Sequence, residues 1–163
     1  MSCKYSSGCD GHGMIRQADG SYRTCRCYHI KTAQKKYKAS GGNERQCKFP
    51  SQLTDQTPVF FIEKKKKYGY QELLQSVSKQ LPKLVKTQSK LMLAGPTGRG
   101  KTQFASSLML LALYGGLTSR FFDMRDLRTY IRDLKNTSEV KELQRVLTAV
   151  DVLVLDDIGT ELS

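Results

Sequence analysis

The sequence predicts an α/β fold: a parallel sheet within a three-layer sandwich, incomplete on its C-terminal side and preceded by a small cysteine-rich module. Three observations predict it. A short apolar run at 91–94 enters the octapeptide G-P-T-G-R-G-K-T at 95–102, and a helix-forming run leaves it. Further on, past alternating helix and strand patterns, the apolar Val152, Leu153, Val154 and Leu155 close on Asp156 and Asp157. All five cysteines (Cys3, Cys9, Cys25, Cys27 and Cys47) lie in the first third of the 163 residues. The resulting division is 1–50, a cysteine-rich module with a basic helix; 51–89, a basic linker and helix; and 90–163, the sheet-bearing part.

Residues 95–102 fit G-x-x-x-x-G-K-[ST] without mismatch, the phosphate-binding P-loop. Gly95, Gly98 and Gly100 let successive backbone N–H groups point inward around a β-phosphate, with Pro96, Thr97 and Arg99 completing the loop. Lys101 places a cation on the β/γ oxygens, and Thr102 offers a hydroxyl to Mg²⁺. The helix that follows presents its N-terminus to the anion. The run at 152–157 reads as a Walker B segment. A buried parallel strand carries Asp156 to its C-terminal edge to hold the Mg²⁺ shell, and Asp157 sits at the position where similar ATPases of the additional-strand class keep a carboxylate to orient or deprotonate the attacking water.

Charge is uneven. Residues 1–67 hold 14 Lys/Arg against 5 Asp/Glu, and residues 68–163 hold 13 against 10, out of a net +12. The excess before the P-loop suits a nucleic-acid or acidic-protein partner, or a solubilising surface. The polar first twenty residues do not resemble a secretory signal, and no apolar run is long enough to span a bilayer. A cytoplasmic protein is expected, with cysteines serving as ligands rather than in disulfides.

Cys3 and Cys9 form one pair, Cys25 and Cys27 a second. Cys9-Asp10-Gly11-His12-Gly13 resembles a metal knuckle whose glycines turn amides toward sulfur. Residues 14–16 and 21–23 flank Asp19-Gly20, which reads as a hairpin with a type I′ turn. The hairpin brings the pairs together for a tetrahedral Cys₄ zinc site. His12 and His29 are alternative fourth ligands, and free thiols in a basic leader are the alternative to a metal. A module this small needs metal to fold. Residues 30–39 predict a basic helix, ended by Ser40-Gly41-Gly42-Asn43. Cys47 reads as a small apolar side chain.

The run at 59–62 is a short strand or a docking segment, and Lys64 to Lys67 either contact phosphates or are solvated. Residues 70–80 predict a helix that Pro82 breaks. After the P-loop, 102–114 is an apolar helix, stopped by Gly115-Gly116. Residues 120–124 predict a strand and 125–135 an amphipathic helix. Ser138 is the candidate N-cap of a further helix at 139–150.

G-P-T-G-R-G-K-T followed by L-V-L-D-D-I-G-T-E resembles AAA+ helicase loaders of the DnaC/DnaI group and the related IstB-type transposition helper ATPases. The resemblance covers 91–161 well and 3–27 loosely, since such loaders often carry an N-terminal cysteine-rich zinc module. It implies an AAA+-like P-loop fold in which the ATPase part binds ATP and single-stranded DNA, and the N-terminal part grips a replicative hexameric helicase. It implies phosphate and Mg²⁺ contacts from Lys101, Thr102 and Asp156. Asp157 replaces the usual Glu and is one methylene shorter. Cys47-Lys48-Phe49-Pro50 is similar to the element preceding the ATPase part in loaders. The family continues with a fourth strand between the Walker A and Walker B strands, an arginine finger and a lid. A fragment, or a chain completed by a second polypeptide and incompetent alone as an ATPase, is therefore expected. The functions in play are a helicase loader, possible as a homo-oligomer, a transposase helper, a zinc- and DNA-binding adaptor with a vestigial nucleotide site, and a small-molecule kinase.

Overall fold

The computed structural model describes residues 3, 5–43, 45, 60–63 and 66–159. In chain order the elements are β1 (Met14–Arg16), β2 (Tyr22–Thr24), α1 (Arg26–Ala39), β3 (Phe60–Glu63), β4 (Lys66–Gly69), α2 (Tyr70–Lys86), α3 (Lys101–Tyr114), β5 (Ser119–Asp123), α4 (Met124–Asp133), α5 (Thr137–Thr148) and β6 (Val152–Asp156). No helix among the described residues is long and apolar enough to cross a membrane.

Helices α1 and α2 and strands β5 and β6 pack around α3. Its sequence, K-T-Q-F-A-S-S-L-M-L-L-A-L-Y, lacks Gly, Pro and β-branched residues beyond Thr102, and it is apolar around most of its circumference. Such a helix must be covered on several sides. On one side Met109, Leu110 and Leu113 bury against Ile30, Ala33 and Tyr37 of α1, with Phe121 and Val154 packed alongside. On another, Phe104, Leu108 and Ala112 bury against Leu74 and Leu81 of α2, with Leu93, Leu117 and Val152 alongside. Each large side chain so buried contributes about 1.5–3 kcal/mol. Ser106 and Ser107 are small enough to be fully buried at these contacts, and Ser107 Oγ shares a 3.1 Å hydrogen bond with the Tyr70 hydroxyl.

Strands β5 and β6 are parallel, in register from Ser119↔Val152 to Asp123↔Asp156. Their starts are stapled by Asp151, whose carboxylate accepts from the Thr118 N–H and Oγ1 at 2.8 Å each. The outer strand edge is joined to the cysteine module. The Phe121 N–H donates to the Ser40 carbonyl at 2.8 Å, and Arg120 Nη1 donates to Ala39 at 3.3 Å. Gly41 makes this approach possible: its φ is +86°, and a Cβ there would lie 2.6 Å from the Phe121 oxygen.

Several expectations change. Residues 91–94 form no strand, and among the described residues no strand pairs with them. Leu93 packs into the α2–α3 core while Met92 is 87% exposed. A strand needs a hydrogen-bonding neighbour, and apolar composition alone does not supply one. Pro82 does not end α2, which continues to Lys86. Pro82 is on the exposed side, and buried Leu81 outweighs the missing bond. The hairpin forms, but its pairing ends at Arg16↔Tyr22. The Gln17 N–H bonds Ser21 O, and the Gly20 N–H bonds Gln17 O, with Gly20 at φ +84°. That is a three-residue loop with a left-handed glycine in place of the two-residue type I′ turn. The basic helix begins at Arg26 and takes in Cys27. Asn136, not Ser138, caps α5 by accepting the Glu139 N–H at 3.0 Å. The apolar run after Val59 is strand β3, paired antiparallel with β4, and β4 takes in Lys66 and Lys67. Cys47, Pro50, Val59, Lys64 and Lys65 lie outside the described residues.

Two measurements check this packing. Gly41→Ala is expected to cost about 1–3 kcal/mol in urea denaturation, from backbone strain plus the blocked contact with Phe121. Gly20→Ala, with a similar φ but open space around it, is expected to cost less, about 1 kcal/mol. The Thr118 N–H and hydroxyl hold the Asp151 carboxyl below the usual carboxylate range. Its contribution is therefore whole above the unfolded value of about 3.9 and lost as pH falls through the lower folded value. An Asp151→Ala variant should be less stable than the parent at neutral pH, with the difference closing in acid.

Candidate nucleotide and metal sites

The loop ahead of α3 has the backbone a phosphate cradle requires. Gly95, Gly98 and Gly100 have φ of +145°, +76° and +76°, values that side-chain-bearing residues rarely adopt. At Gly95 and Gly98 nothing lies within 4 Å of where a Cβ would be, so it is the positive φ, not crowding, that favours glycine there. Gly100 is the N-cap of α3 and brings no side-chain cap. The first N–H groups of the helix are thus presented without a protein oxygen from that position. Lys101 Nζ reaches back across the loop and donates to the carbonyls of Gly95 at 2.8 Å and Pro96 at 2.9 Å. The ammonium stands at the mouth of the cradle, where phosphate oxygens would be stronger acceptors than carbonyls. These features fit a nucleotide triphosphate. Gly95 to Lys101 would hold its phosphates, and Thr102 and Asp156 would hold Mg²⁺, which neutralises charge during phosphoryl transfer.

Strand β6 delivers the carboxylates. Val152 and Val154 turn inward toward the α3 cores, while Leu153 and Leu155 face outward, each 38% exposed. Asp156 ends the strand opposite Asp123. Asp157 follows with φ +56°, a left-handed conformation that Asp tolerates better than most residues. Its carboxylate lies 3.5 Å from Arg125 Nη2, which also pairs with Asp123 at 3.1 Å. Asp123 in turn caps α4 by accepting the Arg125 N–H at 2.8 Å. The Arg125 guanidinium beside it holds the Asp123 carboxyl below its ordinary range. These pairs are substantially exposed, so solvent screening leaves them little energetic value. They place the Arg125 guanidinium between Asp123 and Asp157. Sequence reading missed Arg125 and Asp123: their own contact is local, but the Arg125–Asp157 pair forms only because β5 and β6 lie side by side. The one local signal was an Asp just before a helical run.

Cys3, Cys9, Cys25 and Cys27 come together, with sulfurs all within 4.8 Å of one another. Cys3–Cys25 and Cys9–Cys27 are separated by 3.8 Å and 3.6 Å. Four thiolates at about 2.3 Å from a tetrahedral Zn²⁺ stand about 3.8 Å apart, so the donor set fits zinc. His12 and His29 are not among the clustered ligands. The knuckle is organised largely by Asp10, whose Oδ1 accepts from the N–H groups of His12, Gly13 and Met14 at 2.7, 2.9 and 3.0 Å. The Cys25 N–H bonds the Gly13 carbonyl at 2.7 Å. The Tyr5 N–H donates to Cys3 Sγ at 3.5 Å, which lowers that thiol to about 7, whereas burial pushes Cys27 up to about 12. A dication bound by all four would resolve this conflict by holding every sulfur as thiolate.

The expected outcome is one zinc per chain by elemental analysis, lost in Cys27→Ser. Chelation should lower the melting temperature by about 5 °C or more, since α1 starts at this cluster and covers α3. Full metal content in Cys27→Ser would refute the ligand set.

Comparison with known proteins bears on the P-loop half. No curated protein and no solved structure matches the chain. The family described as IstB-like ATP binding protein matches residues 63–162, more than half of the 163 residues, from the end of β3 through the P-loop and β6. The chain belongs to this IstB-like ATP-binding family, and with it to the AAA+ ATP-binding proteins of IstB/DnaC type.

Proposed function

We propose that this protein is an ATP-dependent helicase loader, which uses nucleotide binding at residues 95–102 to deliver a replicative hexameric helicase to single-stranded DNA. The observation that carries the reading is the joining of two parts. The four-cysteine cluster opens α1, and α1 shares a buried core with α3, the helix that begins at Lys101. A module that grips a partner and a helix that holds phosphate are thus packed directly on each other, which suits a protein whose grip responds to nucleotide. In this reading Lys101 and Thr102 bind phosphate and Mg²⁺, Asp156 completes the Mg²⁺ shell, and Asp157 orients water.

The family match favours a second reading, a transposase-helper ATPase, because the matched family is described by its IstB members. The two readings share the nucleotide site and differ in partner. Affinity purification of the tagged full-length gene product from its host separates them. Recovery of a hexameric helicase, dependent on ATP, supports loading, whereas recovery of a transposase replaces it with the second reading.

Lys101→Ala is expected to weaken ATP binding by roughly 10–150-fold, the value of a hydrogen bond to a charged group. Isothermal titration would measure this. The melting temperature should stay within a few degrees of the parent, because Lys101 lies outside both α3 cores. Unchanged ATP affinity would show that Lys101 does not hold the nucleotide and would overturn its role in this reading.

A further inference from the structure

We propose that the face of α1 carrying Tyr28, Lys31, Lys35 and Lys38 is a binding track for single-stranded nucleic acid. The proposal takes DNA as the polymer from the loading reading, but places it on the cysteine module, away from the P-loop.

The track follows from helix geometry. Cys27, Ile30, Ala33 and Tyr37 are buried, which fixes one face of α1 inward. Tyr28, Lys31, Lys35 and Lys38 follow one another at spacings of three and four residues, so they share one stripe on the other side. All four are exposed, and the stripe runs about 15 Å along the helix. Nothing on α1 offsets its charge, because its sequence, R-C-Y-H-I-K-T-A-Q-K-K-Y-K-A, contains no Asp or Glu. The nearby acids of the knuckle and the hairpin are engaged locally. Asp10 is engaged by three backbone N–H groups, and Asp19 by the N–H and hydroxyl of Ser21. Four thiolates with a zinc dication would leave negative charge only at the start of α1, next to Arg26. The lysines run toward its C-terminal end, where the helix dipole favours cations.

The stripe is also held in place. Lys31 Nζ donates to the Gly11 carbonyl at 3.0 Å, tying the helix to the knuckle. Tyr28 sits over Gly13, where any Cβ would come within 2.6 Å of the tyrosine's own Cβ. Its ring meets His29 edge-on at 5.8 Å and remains 46% exposed. The pattern recurs on the hairpin: Arg16 is registered opposite Tyr22, which places the two on one face, and Tyr22 is 61% exposed. Cations beside fixed, exposed aromatic rings are what a single strand uses, with phosphates on lysine and bases stacked on tyrosine. An acidic protein would use the lysines and leave the rings without a role, and a duplex keeps its bases stacked internally.

The test is fluorescence anisotropy of a labelled oligothymidylate of about twenty nucleotides, longer than one such site needs, on the full-length zinc-loaded protein without ATP. Lys35→Gln/Lys38→Gln should weaken binding and reduce the slope of log affinity against log salt by about 0.7 per lysine removed. Tyr28→Leu, which keeps the contact over Gly13, should weaken binding by roughly 5–150-fold, the value of one stacked base. Zinc content and melting temperature of each variant confirm that the module is intact. ATP affinity should be unchanged in these variants, and Lys101→Ala should weaken ATP binding but keep the oligonucleotide, so failure of the track and failure of the nucleotide reading are distinguishable. Unchanged oligonucleotide affinity in both variants would overturn the proposal. So would a loss confined to the lysine variant together with displacement of the oligonucleotide by polyglutamate, which would assign the face to an acidic protein.

Discussion

The burial of α3 is the constraint on which the rest of the structure depends. A helix with Phe104, Leu108, Met109, Leu110, Ala112 and Leu113 distributed around it cannot lie on a surface, because no orientation hides them all. Two helices and the inner face of β6 share the task. Its first residues are Lys101 and Thr102, so the same packing that satisfies the apolar helix also fixes the phosphate cradle. The loop itself contributes little burial: Gly95 and Gly98 contact nothing where a side chain would be. Its position is inherited from the helix it precedes.

One of those covering helices comes from the cysteine module, and this changes the physical meaning of the metal site. A cluster of four thiols at the start of a helix is ordinarily a local device for folding a small module. Here α1 contributes Ile30, Ala33 and Tyr37 to the α3 core, and the segment after it bonds the edge of β5. Any free energy that metal contributes to ordering α1 is therefore also available to the helix that carries Lys101, by ordinary linkage between binding and folding.

Much of this was legible in the sequence, for identifiable reasons. The P-loop and the Walker B segment are local: their chemistry demands fixed residue types at fixed spacing, and the elements expected beside them, a helix from 102 and a strand from 152, form within a residue of those positions. The four clustered cysteines were also readable, because a hairpin between two pairs must bring them together. What escaped depends on partners distant in sequence. The Arg125–Asp157 pair exists only because β5 and β6 lie side by side. The role of Gly41 exists only because Phe121 approaches it, eighty residues away. The run at 91–94 has the composition of a strand, yet no described strand pairs with it. Pro82 illustrates the converse, a strong local signal overruled by the apolar stripe of Leu74, Val77 and Leu81 packing on α3.

Local rules and the global fold agree through most of the helices and part company in the segments that carry the candidate chemistry. Asp157 is a non-glycine residue with positive φ, and Gly95, Gly98 and Gly100 all take left-handed or related conformations. Each such position costs conformational free energy that a regular strand or helix would not. The cost is supportable because neither segment carries the core. Val152 and Val154 anchor β6 before Asp156 is reached, and Phe104 is the first residue of α3 to be buried after the loop ends. Stability is thus placed a few residues inside the elements and the reactive groups at their tips. This separation leaves the loop and the Asp156-Asp157 turn outside the packing of α3.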